Sequence, residues 1–275
     1  MKLPSAKVLV AALTVAFAGI PSQTTASHSW GGYHWARTSN PFTLQLGNNV
    51  SGAWGSVLVT TKDDWSKSAV LDLTIVPGNT SPRQCKPRAG MVQVCNERYG
   101  NNGWLGIAQI WLSGMHITQG TTKLNDTYFN TAKYNTPAWR NLVSCQEVGH
   151  TFGLDHQDEN FSNTNLGTCM DYTNDPTAIS PFNGQDNEHP NQHDYDELVT
   201  IYAHPDSSTT VATIQANAAA LPREMVEHDY NVRSQWGKLV KESKNGLKEV
   251  YVLDFGQGRK LVTFVRWAEG EGRGR

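Results

Sequence analysis

Residues 146–156 read Gln146-Glu147-Val148-Gly149-His150-Thr151-Phe152-Gly153-Leu154-Asp155-His156. Thr136 is a good helix cap, and Pro137 fits the first helical position, where its missing N–H costs nothing. The spacing therefore predicts a helix over 138–152 that stops at Gly153, a residue suited to the left-handed C-terminal position. On that helix Gln146 and His150 lie one turn apart and share a face. Gly153 lets the chain leave the helix and swing His156 back toward the same point. An amide oxygen and two imidazoles would then converge beside the Glu147 carboxylate. That is a metal-ligand set next to a candidate general base for a water activated by a Lewis acid.

This stretch resembles the signature of the metzincin zinc endopeptidases, H-E-x-x-H-x-x-G-x-x-H followed by a Met-turn. Glu147, His150, Gly153 and His156 match it, and Gln146 stands where the family has its first His. Gly167-Thr-Cys-Met170-Asp-Tyr172 supplies the Met-turn, with Met170 placed 14 residues after His156. Within that clan the chain is most similar to the gametolysin type, some members of which carry Gln-Glu-x-x-His. The resemblance implies an α/β (α+β) domain with a mixed twisted sheet. It also implies one catalytic Zn2+ on His150, His156 and Gln146, with Glu147 as base and Met170 as the floor of the site. Tyr172 would be a metal ligand or an oxyanion donor. A protein or peptide substrate follows, and the alternative is a catalytically silent metzincin-fold binding protein, since an amide oxygen is a poorer zinc donor than imidazole. His189, His193 and Tyr172 are the candidate substitutes for the missing imidazole. Copper suits imidazole as well as zinc does. The cluster Asp155, Asp158 and Glu159 has the composition of a calcium site and equally of a solvated loop.

Outside the motif, the chain has 275 residues, 38% of them apolar and only 17% charged, with a formal net charge of −2. No basic face for nucleic acid is available in that balance. Lys2 and Lys7 precede the apolar run 8–20 and small residues up to Ala26, the layout of a signal peptide over 1–26. An apolar run of 13 residues is too short to span a bilayer. Export to the extracellular space, without a membrane anchor once the peptide is removed, and a monomeric enzyme are the expectations. Four cysteines, Cys85, Cys95, Cys145 and Cys169, allow three pairings, and an oxidising compartment favours two disulfides. Given the resemblance, Cys145 precedes the ligand helix face and Cys169 precedes Met170. A Cys145–Cys169 bridge would therefore tie floor to helix, leaving Cys85–Cys95.

The catalytic domain is expected over 27–205. Within it, strands are read at 42–46, 69–76, 106–111 and 115–118, with a helix at 52–67 and a short helix at 194–202. Residues 206–275 read as a linker and a small β-rich extension, with strands at 236–240, 247–255 and 260–267 and a disordered tail. Gly256-Gln-Gly258 marks a hairpin between the last two.

Overall fold

A computed structural model of the chain describes residues 28–211 and 229–271. The expected signal peptide and part of the expected linker and tail lie outside the described residues. The α+β class is borne out. Strands β1 (His34–Trp35), β2 (Phe42–Asn49), β3 (Leu71–Pro77), β4 (Met91–Glu97), β5 (Trp104–Ser113) and β6 (His116–Asn125) alternate with helices α1 (Trp54–Trp65) and α2 (Asp126–Phe129). Helices α3 (Pro137–His150) and α4 (Gln192–Ile201) follow, then strands β7 (Lys238–Glu242), β8 (Lys248–Gly256) and β9 (Arg259–Trp267).

All the strands join one mixed sheet in the order β3-β2-β4-β6-β5-β9-β8-β7, with β1 added alongside β6. The β3-β2-β4-β6 half is parallel, whereas β5 runs antiparallel to both β6 and β9. The extension read at 206–275 is thus β-rich as expected, but it is not a separate body. Its strands continue the sheet, because β9 covers the edge that β5 would otherwise leave open.

Helices α1 and α3 pack together on one face of the sheet. Leu44, Leu46, Val92, Val94, Leu142, Val148, Phe152, Trp65 and Phe264 fill the space between the layers. On the opposite face Trp104, Trp236, Tyr251, Val265 and Trp267 form a second, smaller core under the C-terminal strands. Eight of the nine tryptophans are buried, so the aromatic content is spent on packing rather than on a surface stripe. Thr136 caps α3 by accepting from the Trp139 N–H at 3.2 Å, with Pro137 at the first position. A cap of that kind is worth about 1 kcal/mol. Both disulfides pair as expected, Cys85 with Cys95 and Cys145 with Cys169, each with Cα atoms 5.9 Å apart.

Candidate metal centre

Helix α3 is pressed close to β5, where a Cβ on Gly106 would come within 2.8 Å of Glu147 Cγ. That contact places the Glu147 side chain under the helix, 1% exposed, with Oε2 lacking a hydrogen-bond partner. Burial pushes its carboxyl up to about 8, against the pull of Arg266, Lys248 and a backbone hydrogen bond from Ala108. Glu147 therefore holds a proton at neutral pH in this arrangement.

Gly153 does what the sequence requires of it, with φ at +96° and no room for a side chain, since a Cβ would lie 2.0 Å from the Tyr33 carbonyl oxygen. The chain then turns, and the rings of His150 and His156 meet edge to face with centroids 4.7 Å apart. Nδ1 of His150 donates to the Leu154 carbonyl at 2.9 Å, which leaves Nε2 as the lone-pair nitrogen of the neutral ring. Burial holds the His150 pKa down to about 3 and that of His156 well below its ordinary value. The nearby Lys248, Lys241 and Arg266 charges add to both effects. Met170 lies beneath, close enough that a Cβ on Gly149 would be 2.9 Å from its sulfur. The Met170 carbonyl also accepts from the Gln157 N–H at 2.8 Å, fastening the turn to the residue after His156.

Gln146 is placed differently from a ligand. Its Nε2 donates to the carbonyls of Cys169 at 2.7 Å and Asp171 at 3.3 Å, and its Oε1 accepts from Arg266 Nη1 at 2.7 Å. Together with the Cys145–Cys169 bridge, the amide staples α3 to the segment 169–171. Its oxygen is already committed to a cation. Tyr172 is buried and donates its hydroxyl to Asn245 Oδ1, with its ring 5.9 Å from that of His156. Burial raises its pKa, so the phenol stays protonated.

The strands β8 and β9 close the site. Phe264 stacks flat on His150 at 4.4 Å and 6°, and Arg266, two residues on, reaches Gln146 from the same face of β9. On β8 the register partners of this pair are Val250 and Lys248. Lys248 donates to the Asp171 carbonyl at 3.1 Å and sits 4.5 Å over the Tyr172 ring. A cavity of only about 20 Å³ remains beside His156, Tyr172 and Lys248. Arg266, Lys248 and Phe264 escaped the sequence reading. Their signal was the alternation Val262-Phe264-Arg266, which puts an arginine at an inward position of an otherwise apolar strand face.

The other expected participants lie apart. His189 pairs with Asp64 at 2.5 Å, and His193 stacks on His28 at 4.9 Å, so neither joins His150 and His156. Lys241 of β7 reaches both Asp155 and Glu159 at 2.5 Å, so two of the three acidic groups read as a calcium site are answered by an ammonium. Among the described residues, groups of three that could hold a metal are His28, His193 and Asp194, and His34, His204 and Asp206. In the second of these Arg37 already neutralises Asp206 through a 2.8 Å contact. No described helix is long and apolar enough to cross a membrane.

No protein-family model and no curated protein matches the chain. Among solved structures it is similar to two of myroilysin. One has a TM-score of 0.35 at 13% identity and covers 64% of this chain and 98% of that one. The other has a TM-score of 0.32 at 13% identity, covering 62% and 86%.

Proposed function

We propose that the chain is a secreted metal-dependent endopeptidase whose centre is built on His150, His156 and Glu147 and is held shut by its own C-terminal strands. The observation that carries this reading is the pair of buried, neutral imidazoles brought edge to face, with the Glu147 carboxyl, whose Oε2 has no hydrogen-bond partner, on the same helix. Neutral imidazole is the form that a divalent transition ion takes, and two such donors fit it. Gln146 does not fit as a third donor while Arg266 occupies its oxygen. An ion held by His150 and His156 would supply Lewis acidity, zinc being the ion that tolerates a mixed set best.

The residues of the chain then have separate tasks. Glu147 holds a proton in the closed site and gives it up when a divalent charge is placed beside the imidazoles, because opposite charge favours the carboxylate. As a carboxylate it can take the proton of an attacking water. The Leu154 carbonyl fixes the tautomer of His150, and Phe264 fixes the plane of its ring. Entry of a peptide requires β8 and β9 to move, since 20 Å³ holds no more than about one water. The two disulfides support export, because such bonds persist in oxidising compartments.

A second reading, a catalytically silent binding protein, is favoured by one observation, the full engagement of the Gln146 amide. Hydrolysis of a protein substrate by the zinc-loaded chain separates the two. A rate that falls by about 10²–10⁴-fold in Glu147→Gln, with metal content unchanged, supports the peptidase. Equal rates in the two proteins, with metal bound, assign the site to binding.

A further inference from the structure

We propose that His28, His193 and Asp194 form a second metal site, built for a divalent transition ion of the zinc class. One ligand atom from each residue lies within 4.8 Å of the others. Nδ1 of His28 donates to the Asp155 carbonyl at 3.0 Å, so Nε2 is the ring nitrogen left for another partner. That nitrogen faces Asp194 Oδ1 at 3.6 Å, beyond hydrogen-bond distance. Both atoms are buried with no hydrogen-bond partner, in side chains 3% and 0% exposed. Nδ1 of His193 is a third buried nitrogen without a partner, on a ring stacked 4.9 Å from that of His28.

Buried polar atoms without hydrogen-bond partners are costly, and three of them on residues this close together point to a common occupant. A cation bonded to all three satisfies them at once. Tetrahedral zinc, with bonds of about 2.0–2.1 Å, sets neighbouring donors about 3.3 Å apart, so the groups would close in from separations of up to 4.8 Å. Two imidazoles and one carboxylate suit such an ion, whereas calcium takes six to eight oxygens.

The surroundings are those of a supported ligand set. His28 binds a carbonyl through its other nitrogen, and Asp194 Oδ2 accepts from Thr168 Oγ1 and from the Asn191 N–H at 2.8 Å. Asp196 and Glu197 contribute negative charge near His193. An ion here would clamp the segment at residue 28 onto α4. Through Asp155 and Thr168 it would also brace the loops that carry His156 and Met170. The inference stands apart from the peptidase reading, because it uses none of the same side chains.

The test uses the full secreted chain, stripped with a chelator and titrated with Zn2+, reading bound metal per chain and melting temperature. Cobalt absorption provides a second signal. His193→Ala removes a half-buried ring that makes no hydrogen bond through Nδ1, so the metal-free melting temperature should hold. The expected result is loss of one bound ion, or at least a tenfold weaker one by the order of magnitude that metal-site mutations produce. Loss of the zinc-induced rise in melting temperature accompanies it, and His193→Asp restores both. An ion count and affinity unchanged in His193→Ala overturn the proposal, as does a wild type that binds nothing and keeps only a His28–Asp194 ion pair in acid. An ion that survives His193→Ala at full affinity and is lost when His156→Ala is added belongs to the His150–His156 centre. The two sites therefore fail or stand separately.

Discussion

Arg266 donates from Nη1 to Gln146 Oε1 at 2.7 Å, in a fully buried space between β9 and α3. A guanidinium thus takes the oxygen that the sequence offered to a metal. Replacing it with Met frees that oxygen and removes a positive charge from beside the imidazoles. Arg266→Met should lower stability by about 1–3 kcal/mol, the cost of an unsatisfied buried acceptor, and should tighten zinc binding at His150 and His156. Denaturant unfolding and a zinc titration read the two effects. Unchanged affinity would contradict the account of why Gln146 is not a ligand here.

Glu147 gives a pH signature of its own. Its folded pKa of about 8 lies above the ordinary value of 4.5. Between those limits the folded chain keeps a proton that the unfolded chain has released. Its contribution is therefore complete below about pH 4.5 and is lost as pH rises through about 8, a change of a few kcal/mol in order of magnitude. Below about pH 6.5 the depressed His150 and His156 act in the opposite sense. The Glu147 contribution is therefore read as the difference between the metal-free wild type and Glu147→Gln, the wild type losing melting temperature relative to the variant as pH rises from about 4.5 to 8. Identical profiles in the two proteins would sink the assignment.

The Cys145–Cys169 bridge closes a loop of 24 residues between α3 and the segment that carries Met170. On the chain-entropy view its removal in the Cys145→Ser, Cys169→Ser double variant should cost about 3 kcal/mol. On the proposed reading metal binding should weaken as well, because the same bridge ties α3, which carries His150, to the segment that carries Met170. A variant with the wild-type unfolding midpoint would refute this coupling.

Gly153→Ala meets two obstacles, a positive φ and the Tyr33 carbonyl oxygen 2.0 Å from the new carbon. The first alone costs about 1–2 kcal/mol, and the second forces the loop to move. His156 should then leave its contact with His150, and zinc affinity should drop more than in a substitution of similar cost elsewhere. Equal losses at the two places would show that Gly153 serves the fold only.

Much of this was legible because local chemistry and tertiary structure agree. Thr136 and Pro137 mark the start of α3, and Gly153 marks its end, so the convergence of His150 and His156 follows from sequence alone. Strand β2 shows its alternation at Phe42, Leu44 and Leu46. Strand β4 was not legible, because Met91 through Asn96 are all buried and a strand covered on both faces has no alternation to display. The short helix α2 hid among Asn125, Asp126 and Asn130, which read as loop. β8 and β9 were legible as strands, but not their place on β5, since an open edge accepts any strand of matching shape. For the same reason Arg266 and Lys248 could not be placed at the site. The cluster of His28, His193 and Asp194 joins residues 165 positions apart and gave no local sign.

A metal ion held by His150 and His156 can be counted. In the His193→Ala background, which isolates this centre, elemental analysis after zinc loading should find about one ion per chain. Adding His156→Ala should remove it, with the fold retained by circular dichroism. A His193→Ala protein that stays folded and carries no zinc would contradict the account.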